Sequence, residues 1–254
     1  KLCFHPMFGL GLAIRLILIF GMAPLAVSQW YAPFLDATTS SVTLNPWSEW
    51  LASGGTPDAF PYGYVMWLVL IPLTLVAKLF GVSNQFGYEF TLLIADFLLM
   101  VTLSTLLPNR ERLVLVAYWL SPIVIVATYG LGLNDIIPIL FLAVAILCMR
   151  RLEMGFAGAL CALAISAKLS MSVALPFIAI YLYHNKSLRQ LIPSFVKGFA
   201  ICGAVVFLPF LLTRAGPEML ASNPEIGKIS AFSIELGTSL SIYFVPLVYL
   251  VILY

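Results

Sequence analysis

Four polar positions in this chain are placed to do chemistry. Asp36 lies in a polar, aromatic-rich segment, residues 29–63, just after the first apolar run. A carboxylate there would meet a substrate at a bilayer surface and take a proton from its hydroxyl; a lone loop aspartate equally serves as a solvated or capping group. The stretch Tyr-Gly-Leu-Gly-Leu-Asn-Asp ends at Asn134 and Asp135. Its G-x-G has no strand before it and is no nucleotide loop. Asn134 and Asp135 would cap the helix that follows, which leaves a functional role open. Lys168 sits between two apolar runs, far from any charged loop. An ionisable group there is a functional candidate that would hold a lipid phosphate, or else it snorkels to the interface. Asp96 is the fourth, inside an apolar run, where pairing with a neighbouring polar group is the first expectation.

The same 29–63 segment holds Glu49, Asp58 and Tyr62, which are candidate substrate contacts. It is crowded with Trp30, Tyr31, Phe34, Trp47, Trp50 and Phe60, which would also form an aromatic belt at a membrane interface. His5 and His184 pair with no Cys, Asp or Ser at catalytic spacing. Cys3, Cys148, Cys161 and Cys202 stand singly in apolar stretches and read as small hydrophobes. No zinc-protease, nucleophile-elbow, P-loop or paired-carboxylate pattern occurs.

The elements that would position these residues follow from composition. The 254-residue chain is 62% hydrophobic and 9% charged, with a mean hydropathy of +1.04. Its 13 Lys+Arg and 11 Asp+Glu cannot cover a soluble surface of that size. A cytosolic enzyme, a nucleic-acid binder and a disordered chain are excluded. The apolar runs are long and do not alternate, which argues against an outer-membrane barrel. They fall at 7–28, 64–80, 89–107, 113–129, 136–149, 155–167, 169–183, 193–212 and 239–254. The first is long enough to span, so it reads as a span rather than a cleavable signal.

Basic residues set the orientation. Arg110 with Arg112, Arg150 with Arg151, and Lys186 with Arg189 mark three short inner loops. Lys1 and Arg15 hold the start of the first helix inside, so residues 29–63 and 81–88 both lie outside. Both ends of 64–80 then share one side. That segment is expected to be a re-entrant or interfacial helix, with Pro61 and Pro72 starting and bending it. The expected fold is all-α, one domain over 1–254. It is a polytopic transmembrane bundle of about eight spans with a long outer loop, 29–88, carrying juxtamembrane or re-entrant helices. A late outer loop is expected at 213–238. Asp36, Glu49, Asp58, Glu89, Asp135, Glu218, Glu225 and Glu235 all fall outside, so the outer face gathers the acids.

The order of these features resembles the GT-C superfamily of integral membrane glycosyltransferases. The carrying residues are an early acid in the first outer loop and Gly55–Pro57 with Phe60–Gly63 ahead of a Pro-bearing apolar helix. They continue with Asp96 in a span, Ser121-Pro122, then Gly132, Asn134 and Asp135. Last come an Arg-Arg loop, the Ala157–Lys168 stretch, and Leu175-Pro176. The set is most similar to the polyprenyl-phosphate-sugar-dependent branch, such as the first mannosyltransferase of GPI-anchor synthesis and its bacterial relatives. The resemblance covers roughly 12–183.

It implies inverting transfer of a hexosyl group, such as mannose, from a polyprenyl-phosphate sugar on the periplasmic or luminal face. The acceptor would be a lipid-linked glycan, a cell-wall polymer or a protein. The membrane would be a bacterial inner membrane or the endoplasmic reticulum. Asp36 matches the general base. Family members often carry an acidic pair at that position, whereas here Asp36 stands alone. Asp135 matches the acid of the second outer loop, orienting the acceptor or helping to hold a metal. Lys168 matches a lysine read as binding the donor phosphate. Arg214 and Lys228 in the late outer loop would neutralise the leaving phosphate. No divalent metal is required when no nucleotide diphosphate is the donor. Two other readings stand beside it: a non-catalytic GT-C-like subunit of a membrane assembly, and a carrier of lipid-linked sugars.

Overall fold

The structure, a computed structural model, describes residues 2–40, 43–223, 232–235 and 241–253. Helix α1 (Pro6–Gly21) begins where His5 accepts the Met7 amide at 3.2 Å and Pro6 fills the first turn. It stops at Gly21, because Met22 turns extended and Pro24 follows. The expected 7–28 run is therefore two pieces. A second helical stretch passes through a π-helical turn, Val27–Tyr31, into α2 (Ala32–Thr39). Helix α3 (Pro46–Ala52) is capped by Asn45, which accepts the Ser48 amide. Among the described residues of 29–63, helices run to Thr39 and over Pro46–Ala52, and 53–63 follow as turns and irregular backbone.

Helices α4 (Tyr64–Leu79) and α5 (Asn84–Leu106) follow, the second capped by Ser83. The 113–129 run is broken. α6 (Glu111–Val114) continues as a π turn, Leu115–Trp119, and α7 (Pro122–Ile125) as a second, Val126–Gly130. The two halves meet at 49° around Ser121-Pro122, where the proline removes a donor. Next come α8 (Ile136–Arg150) and α9 (Met154–Ala167). A 3₁₀ stretch, Leu169–Val173, leads to α10 (Ala174–His184) and the one-turn α11 (Lys186–Arg189). The chain closes with α12 (Ile192–Leu212), α13 (Ala215–Ala221), a ribbon of β1 (Ser233–Glu235) and β2 (Ser241–Tyr243), and α14 (Phe244–Leu253).

Specific contacts fix the direction of each helix. The Tyr88 hydroxyl near the start of α5 donates to the Gly132 carbonyl just before α8. The Arg150 guanidinium at the end of α8 donates to the Leu106 carbonyl at the end of α5. Those two helices are parallel. Lys168 at the end of α9 meets Asp135 at the start of α8, so that pair is antiparallel. Helices α9 and α12 run side by side with backbones almost touching. A β-carbon on Gly158 would overlap the Phe195 carbonyl, and one on Gly198 would overlap Gly155. Small residues at such a seam replace side-chain packing with backbone proximity.

One end of the molecule therefore gathers the end of α1, the starts of α5 and α8 and the ends of α9 and α12. The opposite end carries Arg110, Arg112, Arg150, Arg151, Lys186 and Arg189. Both ends of α4 lie at the first end: Gly63 donates to the Ser166 carbonyl (3.0 Å), and Lys78 reaches Asp36 beside Asn84.

In mid-bundle sits a charge pair. Arg15 Nε and Asp96 Oδ2 are 2.6 Å apart, both fully buried. Tyr118 and Tyr129 donate to the carboxylate at 2.7 and 2.8 Å. The guanidinium also donates to the Gly11 and Trp119 carbonyls and lies 3.7 Å over the Trp119 ring. Arg15, read as a charge holding the start of the first helix inside, is buried in this ion pair, and Glu89, read as lying on the outer side, is 1% exposed within α5 with one oxygen on Gln85. Both side chains face helix partners and carry no information on orientation.

Among the described residues, α5 and α12 are long and apolar enough to cross a membrane, and the bent pair makes a third. The other apolar helices have 10–17 residues, because prolines, glycines and the 3₁₀ stretch cut the apolar runs into shorter pieces.

Asp96→Ala strands the Arg15 charge and is expected to cost about 3–5 kcal/mol. Arg15→Met with Asp96→Leu should recover most of that loss. Unfolding in mixed detergent–SDS micelles measures both; a double variant no more stable than the single would contradict this role for the pair.

Candidate functional site

The end of the bundle where α5 and α8 start is built by three remote segments. Pro61 and Tyr62 come from the turn before α4, Asn134 and Asp135 from the turn before α8, and Ser166 and Lys168 from the end of α9. Gly63 makes the approach possible, since a side chain there would collide with the Ser166 carbonyl that accepts the Gly63 amide. Trp47 of α3 donates to the Tyr62 carbonyl at 3.1 Å and packs edge-on against Phe210 of α12. The Tyr62 strand is thus clamped from both sides.

Lys168 Nζ stands 2.6 Å from Asp135 Oδ1, and both side chains are partly exposed. The ammonium also lies 5.9 Å from the Tyr62 ring centre. It follows directly on α9, where a cation complements the helix C-terminus. Asp135 likewise takes the N-cap place of α8, without a side-chain capping bond. The capping expectation therefore describes its backbone position, while its carboxylate goes to Lys168.

Behind this pair lies an aromatic cluster. The Tyr62 and Tyr31 hydroxyls share a hydrogen bond of 3.0 Å, and the Tyr31 ring stacks on Tyr88. Asn134 lies against the Tyr62 and Tyr88 phenols and is completely buried, yet neither its Nδ2 nor its Oδ1 closes a hydrogen bond. The Ser166 hydroxyl is also buried and unpaired. Burial, reinforced by Tyr31, holds the Tyr62 phenol well above its ordinary value of 10.0. A buried amide that touches phenols without closing a full hydrogen bond gains from a polar partner that does.

The remaining sequence candidates fall elsewhere. Asp36 is on α2, its side chain 64% exposed, 3.0 Å from Lys78 and accepting from Asn84 Nδ2 at 2.9 Å. Its polar contacts do not include Lys168 or Asp135. Glu49 sits in the first turn of α3, where a carboxylate suits the helix N-terminus. Asp58 is exposed in the turn that follows α3. Arg214 is exposed ahead of α13 with a left-handed backbone, φ 58°. Lys228 lies outside the described residues. Among the described residues, no group of three His, Cys, Asp or Glu side chains gathers into a metal site.

Tyr31, Tyr88 and Ser166 complete the site, although nothing in the sequence marks them as its members. Tyr31 is legible only as one aromatic among many, and Tyr88 only as a residue at the start of a span. No family model, curated protein or solved structure matches this chain.

The Tyr62 shift has a consequence at alkaline pH. Below pH 10.0 both folded and unfolded chains keep the phenol protonated, and the native state holds its full stability. Above it the unfolded chain ionises first, so stability falls as pH rises. Tyr62→Phe should flatten that alkaline loss, read as the pH dependence of the unfolding midpoint; an unchanged slope would contradict it.

Proposed function

We propose that this chain is an integral membrane glycosyltransferase of the GT-C kind, working on the outer face of a bacterial inner membrane or the endoplasmic reticulum. The observation that carries the reading is the Lys168–Asp135 pair, beside the unpaired amide of Asn134 and the Tyr62 ring. A cation, a carboxylate, an unsatisfied amide and an aromatic face are what a phosphate-linked sugar requires. On this reading the bundle has about eight spans, and α4 lies along the outer surface. One end of α4 meets the end of α9 and the other lies by the start of α5, both at the same end of the bundle, which supports that topology.

The donor is a sugar on a polyprenyl phosphate; the acceptor is a hydroxyl of a lipid-linked glycan, a polymer or a protein. Lys168 takes the donor phosphate and in doing so releases Asp135. The acceptor oxygen attacks the anomeric carbon from the face opposite the phosphate. The bond from that carbon to the phosphate oxygen breaks, and polyprenyl phosphate leaves with the electron pair. The hydroxyl proton passes to a carboxylate. The nearness of Asp135 to Lys168 supports Asp135 as that base over Asp36, whose carboxylate is held by Lys78 and Asn84. Asn134 and Tyr62 position the sugar, and Arg214 and Lys228 supply positive charge to neutralise the leaving phosphate.

Sugar transfer in proteoliposomes from a panel of radiolabelled polyprenyl-phosphate sugars tests this. Asp135→Asn is expected to lower transfer by roughly 100- to 10,000-fold, and Asp36→Asn by less than tenfold. The reverse order would return the base to Asp36. Lys168→Gln should cost ~100-fold or more. Folded protein that transfers from no donor would point to a non-catalytic subunit.

A further inference from the structure

A large apolar cleft stands apart from this site. It lies between α10 and α12, holds about 570 Å³ and is walled by Leu175, Ile178 and Leu182 on one side and Phe195, Val196 and Phe199 on the other. That volume is in the range of small-molecule pockets. Leu182 is the one lining residue that α10 buries fully, while Leu175 and Ile178 stay half-buried. The lining is almost wholly apolar, which suits a hydrocarbon chain and no hydrated ligand.

At one end of the cleft the chain turns from α10 to α12 through α11. There Lys186 follows two residues after His184, which lines the cleft, and the Arg189 guanidinium lies 4.4 Å over the ring of Tyr183, another lining residue. Lys186 and Arg189 are exposed, and neither forms an ion pair among the described residues. Residues 154–217 contain no Asp or Glu at all, while Lys197 adds a further exposed cation on α12. This is also the end that carries Arg110, Arg112, Arg150 and Arg151, the side expected to face the cytoplasm.

We propose that the α10–α12 cleft binds one anionic phospholipid of the inner leaflet. An acyl chain fills the cleft, and the headgroup phosphate is held by Lys186 and Arg189 at its α11 end. Charge complementarity commits the site to this occupant: an uncharged chain would leave both cations unanswered, and the leaflet supplies an anion at their depth. The site rests on the membrane reading of the chain and not on its transferase activity. It is separate from Lys168, which sits at the opposite end of the bundle.

Photo-cross-linking tests the assignment. The full chain is placed in phosphatidylcholine nanodiscs with a trace of phosphatidylglycerol, or of phosphatidylcholine, bearing a diazirine in its acyl chain. The phosphatidylglycerol probe is expected to label residues 175–199 about fivefold or more above the phosphatidylcholine probe. Lys186→Gln should lower that labelling about fivefold, and Lys186→Gln with Arg189→Gln should abolish the preference. Lys186→Arg with Arg189→Lys should retain it. Ala179→Trp, which fills the cleft, should remove labelling by both probes. Equal labelling of the wild type by the two probes, labelling elsewhere, or a cross-link from the cleft to a second copy would overturn the proposal. No sugar transfer is read, so the lipid site stands or falls separately from the transferase activity.

Discussion

Taking two opposite charges out of water is costly unless each is answered, and the Arg15–Asp96 pair is answered from four directions, with only Arg15 Nη2 left to the Trp119 and Tyr129 ring faces. That requirement organises much of the bundle. It fixes α1 against α5 and draws both halves of the bent helix to them through Trp119 and Tyr118 on one side of the break and Tyr129 on the other. With α1 held there, its end falls beside Gln85, which donates to the Met22 carbonyl. The helical stretch after Pro24 must then pass over the start of α5. Tyr31 arrives next to Tyr88 and Tyr62 as a result.

Two ion pairs of this chain have opposite characters. Arg15 and Asp96 are sealed, with no solvent path by which either exchanges its partner. Lys168 and Asp135 are partly open and are joined by one contact. A pair of that second kind in water contributes little to stability, so its worth lies in what can replace either member. The buried, unpaired Asn134 and Ser166 beside it have the same meaning: polar capacity has been placed where the fold itself does not use it.

Lys168, Asn134, Asp135 and Tyr62 are legible in the sequence because each is a polar residue out of keeping with its apolar surroundings, or part of an ordered set of short motifs. Their convergence is not, since it depends on Gly63 meeting Ser166, and only the folded backbone shows that a side chain would not fit there. Arg15 reads as an orienting charge and not as half of a buried pair because its partner lies 81 residues away. The burial of Glu89 is not legible because the apolar run begins at it, whereas the helix starts a turn earlier at Asn84. Asp36 is legible as an acid after the first span, but Lys78 and Asn84, which occupy its carboxylate, lie 42 and 48 residues further on, and no spacing marks their return to it. Expected span boundaries fail at Pro24 and Pro122, which interrupt a helix without interrupting its hydropathy, whereas Pro72 and Pro209 are carried inside α4 and α12.

The three π-helical turns have an effect on phase. Each wider turn carries one residue more than an α-turn would, so the helix beyond it is rotated by about a quarter-turn relative to the helix before. Each also delivers an aromatic to a polar partner: Tyr31 to Tyr62, Trp119 to Phe8 and Arg15, Tyr129 to Asp96. In the middle one, Tyr118 and Trp119 are consecutive, yet both serve the same ion pair. The extra residue works as an insertion preserved in the fold. Were it lost, the regular winding would return and one of the two rings would turn from the charge towards the lipid.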